Sequence, residues 1–140
     1  MLKNIPSCIS PELMKIMMSM GHGDELVIVD ADFPADTYGK KVIRADGVSE
    51  IDLLRAILRF FPLDQFVEQP VVVMGPEDNI GISELLEQAK NSISEFEPEF
   101  KGFVFAERFD FYNRVSKAFA VVITGQEDGN FILKKGVVNI

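Results

Sequence analysis

Cysteine and histidine are almost missing from this 140-residue chain, which contains one of each, Cys8 and His22. A single cysteine excludes an intrachain disulfide and a cysteine-based zinc cluster. Basic residues are also scarce, since 14 Lys and Arg stand against 22 Asp and Glu and give a net charge of −8. Because this charge repels phosphate backbones and anionic lipid headgroups, we expect no nucleic-acid or membrane partner. A neutral or cationic small substrate fits better.

Long apolar runs are absent as well. No stretch approaches the ~18–20 apolar residues of a membrane span. The N-terminal apolar stretch is interrupted by prolines and charged residues, namely Pro6, Pro11, Glu12 and Lys15. It is therefore unlike a signal peptide, and we expect a cytoplasmic protein. The 47% hydrophobic and 26% charged residues are typical of a folded protein. We expect one domain covering residues 1–140.

Strand-like and helix-like patterns alternate along the chain. Helices are predicted at 10–21, 49–62, 82–98 and 109–120, and strands at 25–30, 41–47, 69–76, 101–109, 120–126 and 130–138. Ser10 and Ser49 are predicted N-caps, and Pro11 suits a first helical position. This alternation predicts an α/β sheet with helices on both faces. The short turn QEDGN predicts that the last two strands form an antiparallel hairpin, which makes the sheet mixed.

His22 lies between two glycines in the stretch MGHGDELVIVD. Gly21 ends the first predicted helix, and Gly23 permits unusual backbone angles, so the imidazole is placed on a turn. An imidazole readily gains and loses a proton near neutral pH, which suits acid–base catalysis. A surface or purely structural histidine is the alternative.

Five aspartates follow this histidine in sequence, at positions 24, 30, 32, 36 and 46. A metal site of His22 with some of these acids would use hard ligands, but no pair has helical i, i+4 spacing. Solvated or turn-capping roles explain most of them. Asp30 differs, because it follows an apolar strand and the carboxyl ends of strands are where sites gather in α/β sheets.

Two later segments offer further candidates. Arg108, in ERFDFYNR, lies at a predicted strand-to-helix junction and could donate hydrogen bonds to hydroxyls, although the residues alone favour a plain helix start. The turn EDGN at 127–130 needs no functional explanation. No glycine-rich phosphate loop, nucleophile elbow or Walker pattern is present.

Four blocks in register resemble the L-fucose mutarotase family, which belongs with D-ribose pyranase to one superfamily. They are MGHGDELVIVDADFP, VIRADG, ERFDFYNRVSKAFAVVITG and GNFILKKGVV. The resemblance fades only between about Leu63 and Lys101. The third block, together with IRADG, favours the fucose branch.

The resemblance implies a three-layer αβα domain and a toroidal decamer whose sugar pockets are shared between adjacent subunits. It implies that His22 is the catalytic proton donor, opposite Asp30 across a small sugar. Asp30 and Arg108 would bind the sugar, and Gly129 and Asn130 would contribute from the adjacent subunit. The family usually reads YGN after a slightly longer loop, whereas Asp128 stands here at the tyrosine position. It also usually has His or Asn at Asp32. We include Asp128 among the substrate-binding residues.

The activity implied is interconversion of the α and β anomers of L-fucose by opening and closing the pyranose ring. This chemistry requires no metal, nucleotide or covalent nucleophile, so no cofactor is expected. A D-ribose pyranase is the alternative enzyme. A sugar-binding or assembly protein without catalysis, and a metal-dependent hydrolase, are the alternatives from other classes.

Overall fold

Six strands form a single mixed sheet in the computed structural model, which describes residues 1–140. The strands are β1 (Glu25–Val29), β2 (Val42–Arg44), β3 (Val71–Met74), β4 (Val104–Ala106), β5 (Ala120–Ile123) and β6 (Phe131–Lys134). Their order across the sheet is β2-β5-β1-β6-β3-β4. β6 is antiparallel to both of its neighbours, and every other pairing is parallel. The predicted α/β class and mixed sheet are confirmed.

Five helices and one 3₁₀ turn connect these strands. The helices are α1 (Pro11–Ser19), α2 (Ala35–Tyr38), α3 (Glu50–Leu58), α4 (Ser83–Phe96) and α5 (Arg108–Lys117), and the 3₁₀ turn is Ile80–Ile82. Both predicted N-caps are confirmed, because the side chain of Ser10 accepts from the Leu13 N–H and that of Ser49 from the Asp52 N–H. No helix combines the length and apolarity that crossing a bilayer would need.

Helices cover both faces of the sheet, which gives the three layers αβα. Leu26 and Ile28 of β1 point into the core beneath α1, α3 and α4, whereas Val27 and Val29 point into the core beneath α2 and α5. This alternation follows from the two-residue period of a strand. Both faces of β1 are therefore buried, as the apolar run in its sequence predicts.

The predicted C-terminal hairpin is wrong. β5 and β6 do not pair, because β1 lies between them and bonds to both. The segment joining them crosses the carboxyl end of β1, where the Ala31 N–H donates to the Gln126 carbonyl and the Thr124 N–H donates to the Val29 carbonyl. β5 is buried along its whole length and is parallel to β1 and β2, so both of its edges are satisfied without β6.

Candidate active site

The carboxyl ends of the parallel strands and the start of β6 meet at one edge of the sheet, which we call the carboxyl edge. Asp30, directly after β1, and Asn130, directly before β6, form two hydrogen bonds there. The Asp30 N–H donates to Asn130 Oδ1 at 3.1 Å, and Asn130 Nδ2 donates to Asp30 Oδ2 at 3.1 Å. Both residues are buried, and Asp30 is only 8% exposed. The pair fixes the turn before β6 against the end of β1.

Burial raises the pKa of Asp30, and the neighbouring Asp128 raises it further, against the hydrogen bonds from Asn130 and from the Asp32 N–H. Asp128 and Asp32 are themselves exposed. A carboxylate in this setting is a strong acceptor for hydroxyl groups. A carboxylate and an amide at one edge suit a polyhydroxylated ligand.

Glu50 lies in the first turn of α3 at the same edge, and the sequence did not single it out. It is 0% exposed, and neither carboxyl oxygen has a hydrogen-bond partner. Burial, with added repulsion from Asp30 and Asp128, raises its pKa to about 10. Glu50 is therefore a neutral acid at pH 7. An acid in the first turn of a capped helix normally faces solvent, so the local sequence gave no signal of this burial.

Gly129 packs directly over Glu50. Its φ of 127° is one that L-residues rarely adopt. A Cβ at this position would lie 2.8 Å from Glu50 Oε2 and would also overlap Leu85 Cδ2. The glycine is thus needed both for its backbone angle and for the close approach of the turn to α3.

We expect Gly129→Ala to destabilise the protein more than Gly102→Ala. Gly102 has a similar φ of 107° but no atom within 4 Å of a built Cβ, so its substitution reports backbone strain alone. The overlap with Glu50 and Leu85 should add about 1–3 kcal/mol to the loss for Gly129→Ala. Urea denaturation of both variants measures the difference. Equal losses of stability in the two variants would show that the turn at Gly129 accommodates the added Cβ without further cost.

His22 lies at the opposite edge of the sheet, which we call the amino edge. The Gly21 N–H donates to Asp24 Oδ2 at 2.7 Å, and the Gly23 N–H donates to the Lys135 carbonyl at 2.8 Å. Gly23 has a φ of 88°, as the sequence led us to expect of this turn. The His22 side chain is 44% exposed. The two flanking residues therefore hold the imidazole on a fixed and accessible turn.

Asp64 is the partner of His22, and the sequence did not identify it. His22 Nε2 lies 3.0 Å from Asp64 Oδ1, which also accepts the Phe66 N–H at 3.0 Å. Burial alone would raise the pKa of Asp64, but these two hydrogen bonds outweigh it and lower the pKa. An ionised Asp64 only accepts, so His22 Nε2 is the donor and Nδ1 is left free. The arrangement is an imidazole oriented by a carboxylate, as acid–base catalysis uses.

His22 does not face Asp30 in the same chain, so that expectation is wrong for a single protomer. The two residues lie before and after β1, whose five residues span roughly 16 Å at ~3.3 Å per residue. Asn130 and Gly129 lie on the same edge as Asp30 of their own chain. The strand direction, which sequence proximity hides, separates the imidazole from this group.

Arg108 begins α5 at the carboxyl edge. Its Nε donates to the Tyr112 hydroxyl at 2.9 Å, and its guanidinium lies over the rings of Phe109 and Tyr112. Tyr112 in turn contacts Phe33, three residues after Asp30, with ring centroids 5.3 Å apart. Arg108 is thus connected through aromatic rings to the loop that follows Asp30. No group of three or more His, Cys, Asp and Glu side chains is arranged to hold a metal ion.

The fold and these edges define a class: small α/β proteins with an accessible imidazole–aspartate pair at one edge of the sheet and a buried aspartate–asparagine pair at the other. Within that class, the chain belongs to the RbsD / FucU transport protein family, whose sequence profile matches residues 3–138. The resemblance found in the sequence is confirmed.

Solved structures agree with this assignment. The chain is similar to the fucose mutarotase of Streptococcus pneumoniae, solved in complex with L-fucose, with 41% identity over 99% of this chain and 100% of that one and a TM-score of 0.92. It is similar to FucU of Bifidobacterium longum, with 40% identity over 98% and 100% and a TM-score of 0.90. RbsD of Bacillus subtilis, complexed with D-ribose, shares the fold at 21% identity, 99% and 100% coverage and a TM-score of 0.71.

Proposed function

We propose that this protein is an L-fucose mutarotase, an isomerase that interconverts the α and β anomers of the sugar. The observation that supports this most directly is the exposed His22 held by Asp64, in a chain 41% identical to a fucose mutarotase bound to L-fucose. The whole range 1–140 acts as the mutarotase domain. D-ribose is the less favoured substrate, because the RbsD structure is only 21% identical.

The reaction breaks and re-forms one C–O bond. A base removes the proton from the anomeric hydroxyl, the bond between C1 and the ring oxygen breaks, and an acid protonates that oxygen. The free aldehyde then turns, and the ring closes by the reverse proton transfers on its other face. The free Nδ1 of His22 can give or take these protons, because Nε2 is occupied by Asp64. Positioned acid–base groups typically contribute ~10²–10⁴-fold.

The proposed pocket lies between two copies of the chain. His22 and Asp30 lie at opposite ends of β1, so one sugar can touch both only if they come from adjacent protomers. His22 of one subunit then acts on a sugar bound at the carboxyl edge of the next. There Asp30, Asn130 and Arg108 form hydrogen bonds with the sugar. Asp128 and Gly129 lie at the border of the site. We propose a closed homo-oligomer, and specifically the decamer that the family resemblance implies.

A reducing intracellular location suits the chain, because Cys8 is a free thiol with no partner for a disulfide. We therefore propose that the protein acts in the cytoplasm on a free monosaccharide.

Saturation-transfer NMR on the anomeric protons tests the function. We expect the protein to accelerate α/β exchange of L-fucose well above the buffer rate, and that of D-ribose less. Acceleration for ribose but not for fucose would reverse the ranking of the two sugars. Sugar binding with exchange at the buffer rate would instead indicate a binding protein without catalysis.

The shared pocket predicts complementation between two inactive variants. His22→Ala supplies an intact carboxyl edge and Asp30→Asn an intact amino edge, so mixed assemblies should contain working pockets. Random assembly of equal amounts gives about one quarter of the pockets both wild-type groups. Co-expression of the two variants, followed by the exchange assay, measures this recovery. A mixture no more active than either variant alone would contradict the shared pocket.

Light scattering on the wild type provides the matching measurement of assembly. We expect a species of about ten times the 15.7 kDa protomer mass. A fully active species of one protomer mass would contradict both the decamer and the pocket between subunits.

A further inference from the structure

Phe66 is the exposed aromatic side chain beside the His22–Asp64 pair. Its ring centroid lies 5.2 Å from that of His22 at an interplanar angle of 50°, and the residue is 75% exposed. Phe66 belongs to neither hydrophobic core, so core packing does not explain an exposed phenylalanine next to this polar pair. It is therefore available to a ligand that reaches the imidazole.

The backbone of Phe66 is fixed by the same oxygen that orients His22. Asp64 Oδ1 accepts the Phe66 N–H at 3.0 Å and lies 3.0 Å from His22 Nε2. A single buried carboxylate oxygen thus positions both the imidazole and the backbone that carries the aromatic ring. The ring is thus carried beside His22 before the ligand arrives, as a specificity contact needs.

An open cavity of about 670 Å³ is lined by residues 63–68, Pro70 and 97–101, and these include both Asp64 and Phe66. Phe66 therefore contacts the His22 ring and also lines this cavity. An exposed ring that touches the imidazole and faces an open cavity can contact a sugar that reaches His22.

We propose that Phe66 determines specificity by providing the apolar contact for the C6 methyl group of a 6-deoxy sugar. The inference rests on the proposed mutarotase function. L-fucose differs from L-galactose by having a methyl group in place of a hydroxymethyl group, and from D-arabinose by having that carbon at all. An aromatic face stabilises a methyl group by removing apolar surface from water, and it offers no partner to a hydroxyl.

The test compares kcat/KM for anomer exchange of L-fucose and D-arabinose in the wild type and in Phe66→Ala. We expect Phe66→Ala to lower kcat/KM for L-fucose about tenfold, in the range of one apolar group in a pocket. D-arabinose has no methyl group to lose contact, so its value should change less than about twofold. L-galactose, which carries the extra hydroxyl, should approach L-fucose in the variant. Phe60→Ala, which removes an exposed phenylalanine just after α3, is the control.

Each other outcome contradicts the proposal. An equal fall for both sugars would show that Phe66 acts by orienting His22, and an unchanged ratio would show no contact with the methyl group. A smaller particle in light scattering for Phe66→Ala would assign the ring to a subunit interface instead. A wild type that does not accelerate L-fucose exchange would refute the proposed function itself, whereas the preceding outcomes leave that function standing.

Discussion

Replacing His22 by asparagine is expected to lower the rate of L-fucose anomer exchange by ~10²–10⁴-fold and to leave the fold intact. Asparagine is polar, like the imidazole that it replaces, but it cannot gain or lose a proton near neutral pH. The replacement removes little buried contact, because the side chain lies on a turn and is 44% exposed. Saturation-transfer NMR measures the exchange rate, and circular dichroism with light scattering checks fold and assembly.

Two further variants sharpen this test. Asp64→Asn keeps the shape of the carboxyl group but removes the charge that fixes His22 Nε2 as the donor, so a smaller loss is expected than for His22→Asn. Met18→Ala, an exposed apolar residue on α1, should leave exchange unchanged. Near-wild-type exchange in His22→Asn would show that another group transfers the proton.

Local signals in the sequence predicted the elements well. Ser10 and Ser49 cap α1 and α3 as expected, and the buried apolar runs became β1, β3 and β5. These features depend on residues a few positions apart, so they can be read without knowing the fold. The predicted elements were too long at several ends, because helix termini and strand ends are set by packing. The short α2 (Ala35–Tyr38) was not predicted, since it lacks a capping side chain.

Long-range pairing is where the sequence misled. The order of β5 and β6 depends on β1 entering between them, a contact across about 100 residues that no turn motif records. Short loops favour hairpins, and QEDGN is short enough for one, but the two strands that it joins do not pair in the sheet. The same strand direction put His22 and Asp30 at opposite edges, although only seven residues separate them in sequence.

The missed residues of the candidate site share one property. Asp64 is 42 residues from His22, and Glu50 lies in an unremarkable first helical turn. Neither belongs to a motif, and each is identified only by what the fold places around it: an imidazole in one case, and two carboxylates with no compensating donor in the other. Spacing rules find ligands on one element, whereas these pairs are assembled from different elements.

Glu50→Gln is expected to stabilise the protein, increasingly so as the pH rises. The pKa of Glu50 is raised from 4.5 to about 10 in the folded state, so between these values the folded protein keeps a proton that the unfolded chain releases. The contribution of Glu50 to the free energy of unfolding is most favourable below pH 4.5 and is lost progressively as the pH rises toward 10. At pH 7 this loss of stability amounts to about 3 kcal/mol. Glutamine has nearly the shape of the neutral acid and no proton to release, so it removes this penalty.

Urea denaturation of both proteins at pH 5, 6, 7 and 8, at one fixed protomer concentration, isolates the effect, because all other titrations are common to the pair. The stability difference should grow by about 1.4 kcal/mol per pH unit. Glu95→Gln is the matched control: Glu95 is exposed and paired with Arg55, so its difference from wild type should stay flat above pH 5. A flat difference for Glu50→Gln would mean that Glu50 is ionised in the folded protein. The predicted slope would show that the carboxyl edge keeps Glu50 as a neutral acid beside the two aspartates of the proposed sugar site, and that this costs the fold stability.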